Sequence, residues 1–134
     1  MDAVDFSTFF TLNQMVRKKL PDFLKANPIK AKLQLECLLF IDYLLKKRSR
    51  CYEYDLSFLL ATRRGKPRYR GASITIGQLR RQGLIKYIKA EQDKKLQKSL
   101  VITDLGFSVL DNYRSYFNRI ERELMYDIKK SRLK

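Results

Sequence analysis

The spacing of hydrophobic positions changes several times along this chain, and each change marks an element. From Asp5 to Lys25, Phe6, Phe9, Phe10, Met15, Val16, Leu20, Phe23 and Leu24 keep helical spacing, with Pro21 expected to break or kink the pattern at Leu20. Asn27-Pro28 is a boundary. A second helix is expected from Ile29 to about Lys47, apolar nearly all round between Cys37 and Leu45, as a helix buried in mid-domain is. It closes on Lys46-Lys47-Arg48-Ser49-Arg50, cations that suit a helix C-terminus. A third helix, about Glu53 to Thr62, buries Leu56, Leu59 and Leu60. Ala72, Ile76 and Leu79 then share one face of a short helix that stops at Gly83, the expected left-handed terminator. From Leu84 the period becomes two, with Leu84, Ile85, Tyr87 and Ile88 set among Lys86 and Lys89, and a second β-rich run covers Leu100-Val101-Ile102-Thr103. The two runs make a hairpin across a polar connection from Glu91 to Ser99, with Glu91-Gln92-Asp93-Lys94-Lys95 as its cationic tip. Thr103 or Asp104 caps a last helix, about Asp104 to Ser131, in which Gly106, Leu110, Tyr113, Phe117, Ile120 and Leu124 form a seam of period 3.5.

A short helix, a basic ribbon and a long helix, in that order, is the order of a winged-helix DNA reader. The residues that carry it are Leu79-Arg80-Arg81-Gln82-Gly83-Leu84-Ile85, then Asp93-Lys94-Lys95, then Leu100-Val101-Ile102-Thr103-Asp104-Leu105-Gly106. In these the chain resembles the MarR and SarA class of dimeric winged-helix transcription regulators, whose pattern is Leu, a charged pair, Gly and Leu, then an Asp-Arg-Arg or Asp-Glu-Arg wing, then Leu-Thr-x-x-Gly. The wing departs from that pattern in carrying Lys94 and Lys95 where arginine is usual, and the basic loop Arg63 to Arg70 precedes the reader helix. The fold class expected is mainly α with a small β-hairpin wing. It is a single winged helix-turn-helix domain over 1–134, with its reader at about 52–103 and dimerisation helices at about 5–25 and 104–131. The resemblance also implies that a small-molecule effector is possible; no residue identifies one.

Charge sharpens this picture. Lys and Arg number 29 against 14 Asp and Glu, leaving +15, and with no histidine that charge barely changes across physiological pH. Between Ala61 and Ser99, 12 Lys or Arg stand against 2 acids, a balance of +10 in 39 residues, so the excess sits on the proposed reader. A polyanion is the partner that such a balance favours, although ribosomal proteins and membrane-surface binders share it. The most apolar run, Leu38 to Ile41 with Leu44 and Leu45, is far short of the roughly 20 residues of a membrane span. With no signal-like N-terminus and only Cys37 and Cys51, a cytoplasmic location is expected, nucleoid-associated in a bacterium if the resemblance holds. Cys37 reads as a small buried hydrophobe; Cys51, beside Arg48 and Arg50, reads either as inert or as a redox sensor.

The function expected is sequence-specific binding of double-stranded DNA by a homodimer that regulates transcription. Arg70 and Arg81 are candidates to donate to guanine, Gln78 to pair with adenine and Ile74 to touch a thymine methyl, while Gly77 lets the helix approach and Ser73 and Thr75 serve the helix start or a phosphate. Arg63, Arg64, Lys66 and Arg68 would follow the phosphates or a minor groove, as would Lys86, Lys89, Lys94, Lys95 and Lys98 of the wing. Phe6, Phe9 and Phe10 with Leu110, Tyr113, Phe117, Ile120 and Leu124 are the candidate dimer contacts. Two other readings stay open: an architectural or accessory protein of plasmid or phage type, and an RNA-binding winged-helix module. No histidine, metal-spaced cysteine pair or phosphate-cradling glycine loop points to catalysis, so neither enzyme activity nor a cofactor is expected.

Overall fold

The computed structural model describes residues 3–63, 72–92 and 95–132. Their order is α1 (Ala3–Ala26), α2 (Lys32–Arg48), α3 (Glu53–Arg63), α4 (Ala72–Arg81), β1 (Ile85–Gln92), β2 (Lys95–Ile102) and α5 (Asp104–Arg132).

Helix α1 covers the span expected and runs through Pro21 without ending there. A proline inside a helix forfeits one backbone bond. Here the turn beyond it is held by packing, because Phe23 is 5 % exposed and meets Tyr113 and Tyr116 of α5 at ring centroid distances of 5.6 and 5.1 Å. The Tyr116 hydroxyl donates to the Val16 carbonyl at 2.6 Å, and burial pushes its pKa up to about 12, so it stays a donor.

The second helix starts three residues later than expected. Ile29 lies ahead of it yet is 1 % exposed, anchoring an extended approach that ends at Ala31. Helix α2 packs against α3, α4, β2 and α5, and its Cys37, Leu38 and Ile41 are fully buried. It stops at Ser49, whose φ of 64° is the left-handed turn that usually calls for glycine, closed by a 2.9 Å bond from the Ser49 N–H to the Leu45 carbonyl. In α3, Leu56 and Leu60 are fully buried while Leu59 is only half-buried; Asp55 caps the start by accepting from the Tyr52 N–H at 3.0 Å.

The strands are longer than their apolar runs. They pair antiparallel from Ile85↔Ile102 to Gln92↔Lys95, so most of the expected polar connection is backbone ladder. At the base, Leu84, Ile85, Leu100 and Ile102 are buried. Beside β2 lies Cys51, whose carbonyl accepts from the Leu100 N–H at 2.7 Å and whose N–H donates to Ser99 Oγ at 3.0 Å.

Thr103, rather than Asp104, caps α5: its Oγ1 accepts from the Gly106 N–H at 3.1 Å and donates to the Gly83 carbonyl at 2.5 Å. The seam expected to face a second copy is used within the chain. Leu110, Ile120 and Leu124 are 2 %, 0 % and 8 % exposed, and Tyr113 and Phe117 are half-buried, because α5 lies against α1 and covers the core that α1 and α2 leave open. Phe6, Phe9 and Phe10 lie on α1, with side chains outside the described residues.

Gly106 tolerates no side chain: a Cβ there would collide with the Leu84 carbonyl oxygen and lie 2.6 Å from Ile102 Cγ2, whereas at Gly77 it would meet nothing within 4 Å. Gly106→Ala is therefore expected to destabilise the fold by at least about 2 kcal/mol. Gly77→Ala should stabilise it by up to about 1 kcal/mol. Urea unfolding of the two variants measures both, and equal midpoints would refute the packing argument.

Candidate nucleic-acid interface

Helix α4 is amphipathic in the sense expected. Ala72, Ile76 and Leu79 are 1 %, 2 % and 0 % exposed, packed on α2 and α3, and the helix ends as Gly83 turns to φ 77°. On the other side Ser73, Ile74 and Arg81 are exposed, Ile74 by 64 %, and Gly77 opens onto free space. Thr75 corrects the sequence reading. It is 3 % exposed, because three residues after Ala72 and four before Leu79 it falls on the inner face, and it is removed from the candidate contacts.

Gln78 is half-buried, and its Oε1 already accepts from Gln34 Nε2 at 3.1 Å. Gln34 in turn accepts from Gln82 Nε2 and from the Lys30 backbone N–H, each at 3.0 Å. Lys30, Gln34, Gln78, Arg81 and Gln82 line a cleft of about 370 Å³ at the foot of the helix. This polar chain has no signal in the sequence, since Gln34 and Gln78 are 44 residues apart.

The wing carries its cations on both faces. Lys89 and Lys98 are direct cross-strand partners and both exposed, while Lys86, opposite Val101, projects from the other face together with the exposed Ile88. Two like charges directly opposite are unfavourable in isolation, so the pair favours an anion beside it. The wing is tied to the reader by Tyr87. Arg80 stacks on its ring at 4.6 Å, and its hydroxyl donates to Glu53 Oε2 of α3 at 3.1 Å. Burial first, and then the Glu53 bond, raise the Tyr87 pKa, so the phenol stays protonated and donating. Arg80 is thus committed within the chain.

The remaining candidates cannot be placed. Arg64, Lys66, Arg68, Arg70 and Lys94 lie outside the described residues, as do the side chains of Arg63 and Lys95. Among the described residues no cluster of His, Cys, Asp or Glu could hold a metal, and no helix is long and apolar enough to cross a membrane.

The sensor reading of Cys51 is overturned. Its side chain is fully buried, and burial, with Asp55 and then Cys37 adding to it, pushes the thiol up to about 12. The nearby arginines do not offset this: Arg48 sits 3.6 Å from Asp55 instead. Because the folded thiol titrates above its ordinary 9.0, its burial favours the fold at neutral pH, and that contribution fades as pH climbs above 9. Neither cysteine should react with a thiol reagent at pH 8 in the native protein, while both react in denaturant; rapid native labelling of Cys51 would contradict the buried placement.

No protein-family model matches this chain, and no curated protein matches it. Solved structures do. The MepR–DNA complex of S. aureus superposes with a TM-score of 0.69 at 18 % identity, over 92 % of this chain and 85 % of that one. A phenylalanine-to-leucine mutant of S. aureus MepR bound to an oligodeoxyribonucleotide gives 0.69 at 18 % identity over 99 % and 94 %. A glutamine-to-proline MepR mutant from a multidrug-resistant S. aureus clinical isolate gives 0.64 at 18 % identity over 99 % and 91 %. MepR is a MarR-family winged-helix regulator. The buried seam of α4, the Gly83 turn, the two-stranded ribbon and the capped α5 therefore make up, in this chain, the winged-helix fold that MepR has.

Proposed function

We propose that this protein binds double-stranded DNA as a homodimer and regulates transcription, with α4 entering the major groove and the β1–β2 wing lying on the phosphates. The observation that carries the reading is the outer face of α4, where Ser73, Ile74 and Arg81 stand exposed around Gly77 with its open approach. The adjoining ribbon exposes Lys86, Lys89 and Lys98, in a fold that MepR also has, and MepR has been seen bound to DNA. In the proposal Arg81 donates to a base edge or phosphate, Ile74 meets a thymine methyl and Ser73 a phosphate. Lys86, Lys89 and Lys98 neutralise phosphates, joined by Arg63, Arg64, Lys66, Arg68, Arg70, Lys94 and Lys95.

The dimer in this proposal cannot use Leu110, Ile120 or Leu124, which the chain's own core occupies. What favours a second copy on the terminal helices is the apolar surface that α5 still exposes, with Met125 at 46 % and Tyr126 at 65 %. A two-fold pair of reader helices would meet half-sites about one turn, roughly 34 Å, apart.

Selection of bound duplexes from a random pool tests the whole reading. The expected product is an inverted repeat whose half-sites are centred about 10 base pairs apart. An unselective pool would leave only the architectural role, and single-stranded RNA competing as well as duplex would move the partner to RNA.

The wing has its own test in Lys98→Glu, which replaces repulsion across the ribbon by attraction to Lys89. Thermal stability should hold or rise, by about 0.2–1 kcal/mol. DNA affinity should fall, and the slope of log affinity against log salt should flatten by about 0.9 for each phosphate that is no longer neutralised. Unchanged affinity in titrations at several salt concentrations would take β2 out of the interface.

A further inference from the structure

The glutamine chain at the foot of α4 has a direction. The Lys30 backbone N–H can only donate, so the Gln34 atom facing it, at 3.0 Å, is the carbonyl Oε1, and Gln82 Nε2 donates to the same oxygen at 3.0 Å. That sends Gln34 Nε2 the other way, to Gln78 Oε1 at 3.1 Å. Turning the Gln34 amide over would set N–H against N–H on one side and oxygen against oxygen on the other. Gln34 is 4 % exposed, so its amide has little room to leave this arrangement. The cost appears at the other end, where Gln82 Oε1 is buried and has no hydrogen-bond partner among the described residues. The direction is therefore set from Lys30 and imposed on Gln82 and Gln78 alike.

Gln78 stands one turn beyond Ile74, which is 64 % exposed on the face of α4 assigned to the groove. A glutamine pairs with adenine by using its carbonyl and its NH₂ together. With Oε1 turned inward to Gln34, Gln78 has its NH₂ to offer. We propose that Gln34 is a specificity-determining residue that never touches DNA: it holds the Gln78 carbonyl inward, so that Gln78 turns its NH₂ alone to the groove and selects an accepting edge, guanine O6/N7 or thymine O4, over adenine, whose N7 lies beside an N6–H₂ donor that only the carbonyl could meet. The proposal rests on the DNA-binding reading above. To make the two-point pair with adenine, Gln78 would have to swing its carbonyl out to the groove and leave Gln34 Nε2 buried and unbonded, a penalty that disfavours adenine about tenfold or more.

Two measurements separate this inference from the reading beneath it. The first follows solvent exchange of side-chain amide protons in the free protein by NMR, where the Gln34 NH₂ should exchange slowly and the Gln78 NH₂ fast. The second is selection from a random duplex pool by the wild type, Gln34→Leu and Gln78→Ala, with Gln34→Met as a second variant of the same reach should the leucine fail to fold. The wild type should prefer guanine or thymine at one position per half-site. Loss of the Gln34 amide should admit adenine there with about a tenfold change in relative occupancy, and Gln78→Ala should flatten that position, all with an unchanged salt slope. Fast exchange at Gln34, a wild-type preference for adenine at that position, or an unaltered preference in the Gln34 variants overturns the proposal. A wild type that selects no sequence overturns the DNA reading and the proposal with it, whereas slow exchange at Gln34 with unaltered preferences overturns the proposal alone.

Discussion

Helix α4, the wing and the long C-terminal helix meet at one backbone carbonyl, that of Leu84. It accepts from the Thr103 N–H at 3.0 Å, and Gly106 packs against it so closely that no side chain fits. The Leu84 N–H donates to the Leu79 carbonyl at 3.0 Å, and the Thr103 hydroxyl reaches the Gly83 carbonyl. Four backbone groups that the end of α4 and the start of α5 would otherwise leave without partners are satisfied by one another. Neither helix can shift without breaking several of these bonds at once. The angle between α4 and the ribbon, on which any grip on a duplex depends, is set there.

A second set of contacts stiffens the same arrangement from the outside. Tyr87 is held by Arg80 on its ring and Glu53 at its hydroxyl, which joins wing, reader and α3 through one side chain. The single residue Cys51 bonds to β2 much as a third strand would, giving the small ribbon a neighbour on one edge. A two-stranded hairpin alone is marginal in water, and these ties are what let its outer half carry charge in place of core. Lys89 and Lys98 face one another there as cross-strand partners, a placement that does not favour folding.

The polar chain through Gln34 belongs to a different order of effect. Buried amides are satisfied as networks, and a network anchored by a backbone N–H has no freedom of direction. Helix α4 is thus packed on its apolar face by Ala72, Ile76 and Leu79, and held at its edge by hydrogen bonds that turn the Gln78 carbonyl toward Gln34.

The sequence by itself was enough for what depends on local pattern. The four helices after Asn27, the hairpin, the Gly83 turn, the inward set of Ala72, Ile76 and Leu79 on α4 and a cap for α5 at Thr103 or Asp104 all follow from apolar period, turn chemistry and capping within a few residues. What had to wait for the tertiary structure involved residues far apart in the chain. Pro21 did not end α1 because Phe23 finds Tyr113 and Tyr116 on α5. The α5 seam read as a dimer surface because a period of 3.5 says that a face is apolar and not what covers it; here α1 does. Thr75 fell inward, Cys51 lost any sensing role to burial, and Gln78 found its carbonyl taken by a residue 44 positions away. Periodicity reports which side of an element avoids water, whereas the partner that side meets is decided only when distant segments compete for the same space.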